Sequence, residues 1–463
     1  MADLIDAEET SAEEVDYALD NRLVAKVRAA LAAEDAEALH AAMEPLHAAD
    51  IADLLEQVSG GERREMLLLA PRIVDGEVLS ELEEGLREEV IAILPREALG
   101  EALRELESDD VVDLIEDLEI EDQTALLEAL EDADRVAVEQ ALAYPEFSAG
   151  RMMQREVVAV PQHWNVGDAI DFMRGKEDLP DDFYHVILVD ARHRPTGYVT
   201  LGKIMGARRD VALNSLEEES FRVIPALQEE ADVAYAFNQY HLISAPVVDE
   251  DGRLVGVITI DDAMIVLDEE HEEDILRLAG VGEDGGSLSA SVIETTRGRF
   301  PWLAVNLLTA IVASLVIAQF EAAIAQIVAL AVLMPIVASM GGNAGTQSLT
   351  VAVRAIATKD LTGSNVWRVI RRELMVGLIN GVAFAVIMGI VGVVWFGLPM
   401  LGVVIAVAMV INLIAAALAG IGIPVVLEKL GIDPALASGA FVTTVTDVVG
   451  FFAFLGLAVV FLL

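Results

Sequence analysis

Beyond Pro301 the chain runs through five apolar stretches, at about 302 to 320, 324 to 357, 373 to 397, 399 to 427 and 435 to 462. A helix needs roughly 20 apolar residues to cross a 30 Å hydrocarbon layer, and each stretch comes close to that number or exceeds it. In hydrocarbon every backbone N–H and C=O must be bonded within the segment. Five spanning α-helices are therefore the fold this half can take.

One residue conflicts with that environment. Asp447, in "FVTTVTDVVGFF", is the only ionisable residue between Ala435 and Leu463. At about 1.5 Å per residue it lies roughly 18 Å from one end of the run and 24 Å from the other, near the bilayer midplane. A charge there costs at least about 2.5 kcal/mol, so intramembrane acids face a water-filled path, an ion or a partner. A neutral Asp447 hydrogen-bonded to Thr443 or Thr446 is the alternative.

The rest of the chain has the opposite character. Residues 291 to 463 hold seven acids and eight bases, which leaves 70 acids and 22 bases, a charge of about -48, for residues 1 to 290. Such an excess repels nucleic acid and anionic lipid and attracts cations. Acidic, Lys-poor surfaces also suit life in high salt, and the charge alone does not separate the two readings. The absence of cysteine excludes disulfides and thiolate metal sites. The first twenty residues have neither a basic region nor an apolar core, so no signal peptide is expected and the acidic half is placed in the cytosol. Arg297 and Arg299 precede the first apolar run, Lys359, Arg368, Arg371 and Arg372 separate the second from the third, and Lys429 follows the fourth. All these bases face the cytosol only if the N-terminus is cytoplasmic and the C-terminus outside.

Residues 20 to 135 carry apolar residues at three and four spacing and predict helix throughout. "DIADLLEQV" at Asp50 and "DVVDLIEDL" at Asp110 are near copies, which points to an α-solenoid of short hairpins. From about Phe147 the pattern becomes strand, helix, strand, turn, strand, helix, and it occurs twice, a tandem α+β module. The module resembles a CBS-domain pair, through Pro246, "VVDEDGRLVGVIT" and "GVITIDD" with Gly256, Thr259 and Asp262. In such pairs the Thr and closing Asp often hold a nucleotide, but Lys203 stands at the equivalent place in the first half and argues against ATP binding. A dimerisation scaffold is the other reading. Six of the seven residues Asp268–Asp274 are acidic, which suits a solvated linker helix or a site for a counter-cation. Gly280–Gly286 should break that helix, and "SLSASVIETTRGR" should form a short amphipathic helix leading into the membrane.

The second apolar run contains "PIVASMGGNAGTQ", in which Pro335 weakens the helix and Gly341, Gly342, Ala344 and Gly345 remove bulk. Asn343 and Gln347, four apart, share one face. Close helix packing and a pore-lining backbone both fit. Together with "DPALASGAFVTTVTD", this stretch resembles the MgtE family of bacterial magnesium channels, and the order of the modules matches over nearly the whole chain. The resemblance implies a multidomain protein: a cytosolic α-solenoid N domain (1–135), an α+β CBS-domain pair (136–266), an acidic linker or plug helix (267–300) and a five-helix transmembrane domain (301–463). It implies a homodimer in the cell inner membrane, with no enzymatic activity, whose pore is lined by the second and fifth spans with Asp447, Asn343 and Gln347. It also implies regulatory Mg²⁺ sites at Glu77, Asp109, Asp113, Asp262, Glu270, Glu273, Asp274 and Asp433. Ile265, Ala231 and His241 depart from the family's acids, so the number of sites stays open. Mg²⁺ is then both cargo and regulator, membrane lipid the surroundings, and nucleic acid no partner. A CBS-regulated transporter of Co²⁺, Ni²⁺ or Mn²⁺, or a divalent-metal exporter, is the alternative. An intramembrane hydrolase finds no support, since "HExxH", GxSxG and a second midplane acid are missing.

Overall fold

The computed structural model describes residues 19, 21–104, 106–116, 118, 120–127, 130, 132–176, 179–180, 183–282 and 292–463. It comprises two compact units, Met1–Val266 and Leu267–Leu463.

In the first unit ten α-helices, α1 to α10, follow one another from Asn21 to Ala141 among the described residues. They are short because capping residues recur. Ser59 and Glu62, for example, exchange hydrogen bonds as a capping box at the start of α4 (Gly60–Leu69), a start signal worth about 1 kcal/mol. The two near-copies lie on α3 (Ala48–Gln57) and α8 (Ser108–Glu116). They bury equivalent stripes, Ile51, Leu54 and Leu55 on one and Val111, Leu114 and Ile115 on the other, within a single helical core.

Two three-stranded sheets follow. In the first, β1 (Ala159–Pro161) pairs in parallel with β2 (His185–Val189), which pairs antiparallel with β3 (Pro195–Thr200). In the second, β4 (Ile224–Pro225), β5 (Ser244–Val248) and β6 (Leu254–Thr259) repeat the order. Both central strands are buried along their whole length, the mark of a sheet covered on both faces. Each β-hairpin tip is tied by an aspartate: Asp190 Oδ1 accepts from Arg194 N at 2.9 Å, and Asp249 Oδ1 from Arg253 N at 2.8 Å. The tips differ at the left-handed position, where Gly252 (φ 75°) sits without strain and His193 (φ 62°) carries a side chain. The helices are α11 (Val166–Gly175) and α12 (Leu201–Gly206) in the first half, and α13 (Glu230–Tyr240) and α14 (Ile260–Ala279) in the second.

The linker differs from its expected form. The acidic run does not make a helix of its own but continues α14, a single 20-residue element. Nothing between Thr259 and Ala279 interrupts it, since both glycines that stop it, Gly280 and Gly282, come later; Gly280 takes φ 74°. The rest of the predicted break, through Gly286, lies outside the described residues, as do Ser287 to Ser291 of the expected amphipathic helix. From Val292 that helix is continuous with the first span, so that α15 (Val292–Ala318) runs through Pro301.

Among the described residues, five helices of the second unit are long and apolar enough to cross a membrane: α15, α17 (Ala329–Ala357), α18 (Val366–Phe396), α19 (Pro399–Lys429) and α20 (Pro434–Leu462). The predicted second run from 324 is in fact two pieces, because Ile327 leaves the helical region (φ -129°, ψ 85°) after the short α16 (Glu321–Gln326). The third span starts seven residues early, at Val366, so Arg368, Arg371 and Arg372 occupy its first turns. Pro335 lies within α17 without ending it. The central helix is α19, with Ile405, Ala408, Met409, Leu413, Ala416 and Ile421 buried against α17, α18 and α20.

Candidate functional site

Close packing claims two of the small residues of α17. A Cβ on Gly345 would lie 2.6 Å from Val442 Cγ1 and 3.4 Å from Thr446 Cγ2, so this glycine is where α17 meets α20. Gly341 is equally tight against α19, whereas Gly342 faces open space. Asn343 and Gln347 flank Gly345 by two residues on either side, and both are exposed on the unit's outer surface. Asp447 follows the fully buried Thr446 and is itself partly exposed. The three polar residues singled out in the sequence thus lie at the level of one helix–helix contact.

The threonines beside Asp447 do not serve it. Thr443 Oγ1 donates to Gly439 O at 2.9 Å, Thr444 Oγ1 to Ala440 O at 2.6 Å, and Thr446 Oγ1 to Thr443 O at 2.9 Å. Each hydroxyl is satisfied by its own helix. Among the described residues no hydrogen bond or ion pair reaches the Asp447 carboxylate, so the bond from Thr443 or Thr446 that the alternative reading required is not made.

In the first unit, acids gather between the start of α8, the segment preceding β1, and the start of α14. Asp109 is buried at 7% exposure. Burial first, and then the charge of Asp262, push its carboxyl well above the usual range. Asp262 itself is raised to about 7, chiefly by burial and then by Asp261 and Asp110, against the opposing pull of its bond from Thr259 Oγ1 at 2.6 Å. The sequence reading missed further members. Glu107 is raised to about 7 by burial and the neighbouring Glu156, and it accepts from Gln154 Nε2. Asp110 is raised to about 6 by burial and Asp113. Ser108 Oγ donates to Glu156 Oε2 at 2.8 Å. The adjacent acids of "ESDDVVDL" and "TIDD" were the available signal. Asp113 turns instead to Arg87 Nη1, 2.6 Å away, and Glu77 is exposed on α5 (Gly76–Ser80).

The second unit holds the other predicted group. On α14, burial raises Glu270 and Asp274, reinforced for Glu270 by Asp274 and for Asp274 by Asp433. Arg277 is their built-in counter-charge, paired with Glu273 one turn back and with Asp433 Oδ2 at 2.8 Å. Asp433 also caps α20, accepting from Ala435 N at 2.8 Å.

Among the described residues no three carboxylate or imidazole side chains are spaced to hold a metal ion between them. Both groups nevertheless offer hard oxygen donors and neither thiolate nor clustered imidazole, the set that suits Mg²⁺ or Ca²⁺ over softer metals. At the nucleotide-type position, Lys203 Nζ lies 2.9 Å from Glu218 Oε1 and donates to Leu216 O at 3.2 Å. The cleft between the CBS-like halves, lined by Tyr184, His185, Ser244 and Thr259 among others, holds about 20 Å³, against the roughly 300–1,000 Å³ usual for ligand pockets.

Comparison with known proteins covers the same modules. Residues 334–457 match the family model described as a divalent cation transporter, MgtE. Residues 46–147 match the MgtE intracellular N domain, and residues 149–210 and 222–269 the CBS domain. The magnesium transporter MgtE of Thermus thermophilus is 33% identical over 445 residues, covering 95% of this chain and 98% of its own. That of Bacillus subtilis is 33% identical over 326 residues, covering 69% and 70%. Among solved structures, the cytosolic domain of the Mg²⁺ channel MgtE in complex with ATP shares 30% identity over 52% of this chain and 99% of that one, with a TM-score of 0.48.

Proposed function

The chain belongs to the MgtE family of divalent cation transporters, and on that premise we propose that it is a magnesium channel for uptake across the cell inner membrane. It transports and catalyses no reaction. In this reading two copies form the pore, the second and fifth spans of each line it, and the N-termini are cytoplasmic. The observation that carries the proposal is Asp447: the one acid of its span, near mid-depth, and without a bonded partner among the described residues.

Mg²⁺ dehydrates reluctantly and is usually bound by one or two carboxylates with several waters retained. A pair of symmetry-related Asp447 carboxylates, with the exposed amides of Asn343 and Gln347 to bond those waters, is an inventory for a hydrated divalent ion rather than a stripped one. We further propose that cytosolic Mg²⁺ shuts the channel. Glu77, Asp109, Asp113 and Asp262, with Glu107 and Glu156 added, and Glu270, Glu273, Asp274 and Asp433 repel one another when metal is scarce. An ion bound preferentially to the compact arrangement would favour it as its concentration rises. ATP has a minor place in this account, because Lys203 is committed to Glu218.

The test is rescue of a magnesium-uptake-deficient bacterium at low Mg²⁺. Growth restored by this chain, and competed by neither Co²⁺ nor Mn²⁺ at equal concentration, supports the proposal. Failure to restore growth with the protein inserted, or net efflux of metal, favours transport of another divalent ion or export.

A further inference from the structure

Asn412 lies in the middle of α19, about 20 Å along the axis from Pro399 and 26 Å from Lys429. It is the only amide in that helix and is fully buried. Nδ2 donates to the backbone carbonyl of Val337 on α17 at 2.8 Å, while Oδ1 has no hydrogen-bond partner among the described residues. Two glycines make room for it. A Cβ on Gly341 of α17 would stand 2.2 Å from Nδ2, and one on Gly450 of α20 would stand 2.7 Å from the same atom. One side chain of α19 therefore fills a slot cut into both neighbouring helices.

Close packing does not require this amide. Between α18 and α19, Gly402 meets the carbonyl of Gly389, and Gly377 that of Leu413, with only backbone and apolar side chains as the nearest neighbours at these two points. An unpaired acceptor in hydrocarbon is also unfavourable, and an apolar residue of similar size would remove the cost. What a buried amide adds is register: only one sliding position of the helices lets the donor meet a carbonyl. The residues it fixes are those of the candidate ion path. Asn343 comes two positions after Gly341, and Asp447 three before Gly450.

We propose that Asn412 is a positioning residue for ion selectivity, setting the relative height of Asn343 on α17 and Asp447 on α20 through Val337, Gly341 and Gly450. The inference rests on the reading of Asp447 and Asn343 as the ion path. A hydrated ion is selected by a fixed width and fixed polar positions, so loss of register should admit ions of other size before it unfolds the helices.

The experiment measures Mg²⁺ and Mn²⁺ flux through the full-length protein in liposomes, with thermal unfolding of the same samples. Asn412→Leu should unfold at or above the wild-type temperature. Its Mg²⁺-to-Mn²⁺ flux ratio should nevertheless fall by about tenfold, the equivalent of about 1.4 kcal/mol between the two ions. Gly450→Ala should shift the ratio the same way. If the leucine is too bulky to assemble, Asn412→Ala gives the same readout without overpacking. An unchanged ratio in a folded Asn412 variant overturns the inference. Asp447→Ala separates this from the underlying reading: flux persisting in that variant overturns the ion path itself, whereas abolished flux with normal selectivity at Asn412→Ala overturns only the positioning role.

Discussion

Arg277 Nη1 lies 2.8 Å from Asp433 Oδ2, so the acidic stretch of α14 is tied by an internal cation to the residue that caps α20. Both side chains are partly shielded, at 23% and 31% exposure. A divalent ion bound at Glu270, Glu273, Asp274 and Asp433 would have to displace that guanidinium. Arg277→Ala should therefore lower the Mg²⁺ concentration that protects residues 267–299 from protease, by about fivefold if the pair is worth about 1 kcal/mol. A midpoint equal to or higher than wild type would show that Arg277 does not compete with the ion.

The acids of the first unit give a pH dependence in metal-free protein. Glu107 and Asp262 are raised to about 7 and Asp110 to about 6, each first by burial. Because the assembled arrangement raises these values, assembling it takes up protons. Their unfavourable contribution is absent below the ordinary carboxylate range, grows as pH rises, and is complete above about 7. In EDTA, the contact of Ser108 and Glu107 with Glu156 and Gln154 should open more readily at pH 8 than at pH 6, read as lower amide protection at Ser108–Glu116 once the base-catalysed rise of the intrinsic exchange rate is divided out. Added Mg²⁺ should shrink that difference. Equal protection at both values would contradict it.

Much of this was legible in the sequence because periodicity reports which face is buried. The equivalent stripes of Ile51, Leu54, Leu55 and of Val111, Leu114, Ile115 come from a repeat visible in the letters, and the two sheets follow the doubled strand order. Asp447 announced itself by standing alone in an apolar run. Asn412 could have been found by the same logic, as the one amide of α19, but an uncharged residue gives a weaker contrast. The pairing of Glu107 with Gln154 and of Arg277 with Asp433 was hidden, since contacts 47 and 156 positions apart leave no local pattern. Helix ends were also misplaced. The break at Ile327 and the continuity of α14 depend on backbone angles that no proline or glycine marks at those points.

Lys203 sets an expectation for nucleotide binding. Its ammonium pairs with Glu218 and cannot accept bonds from ribose hydroxyls. Calorimetry on the full-length protein should show weak ATP binding, and Lys203→Asp should strengthen it. Tight, Mg²⁺-tuned binding by the wild type would refute the inference drawn from this one residue.

The charge of the first 290 residues, about -48, bears on the proposed gating. Monovalent salt screens only the longer-range part of such repulsion, whereas a bridging divalent ion neutralises it locally. Millimolar Mg²⁺ should protect residues 21–135 and the α14 linker from protease where NaCl of equal ionic strength does not. Removing residues 1–135 should leave a channel that conducts but no longer shuts as Mg²⁺ rises. Equal protection by NaCl, or closure at the same Mg²⁺ concentration in the truncated channel, would make the acids a solvation coat.

The proposed passage of Mg²⁺ past Asp447 is tested by Mg²⁺ flux into liposomes carrying the purified Asp447→Asn protein, measured beside the wild type at matched insertion. The substitution keeps the shape and removes the charge, and since no partner of the carboxylate among the described residues is lost, folding should be unaffected. The wild type should take up Mg²⁺ and the variant none above protein-free vesicles. Uptake by the inserted variant at the wild-type rate would contradict it and place the ion path elsewhere.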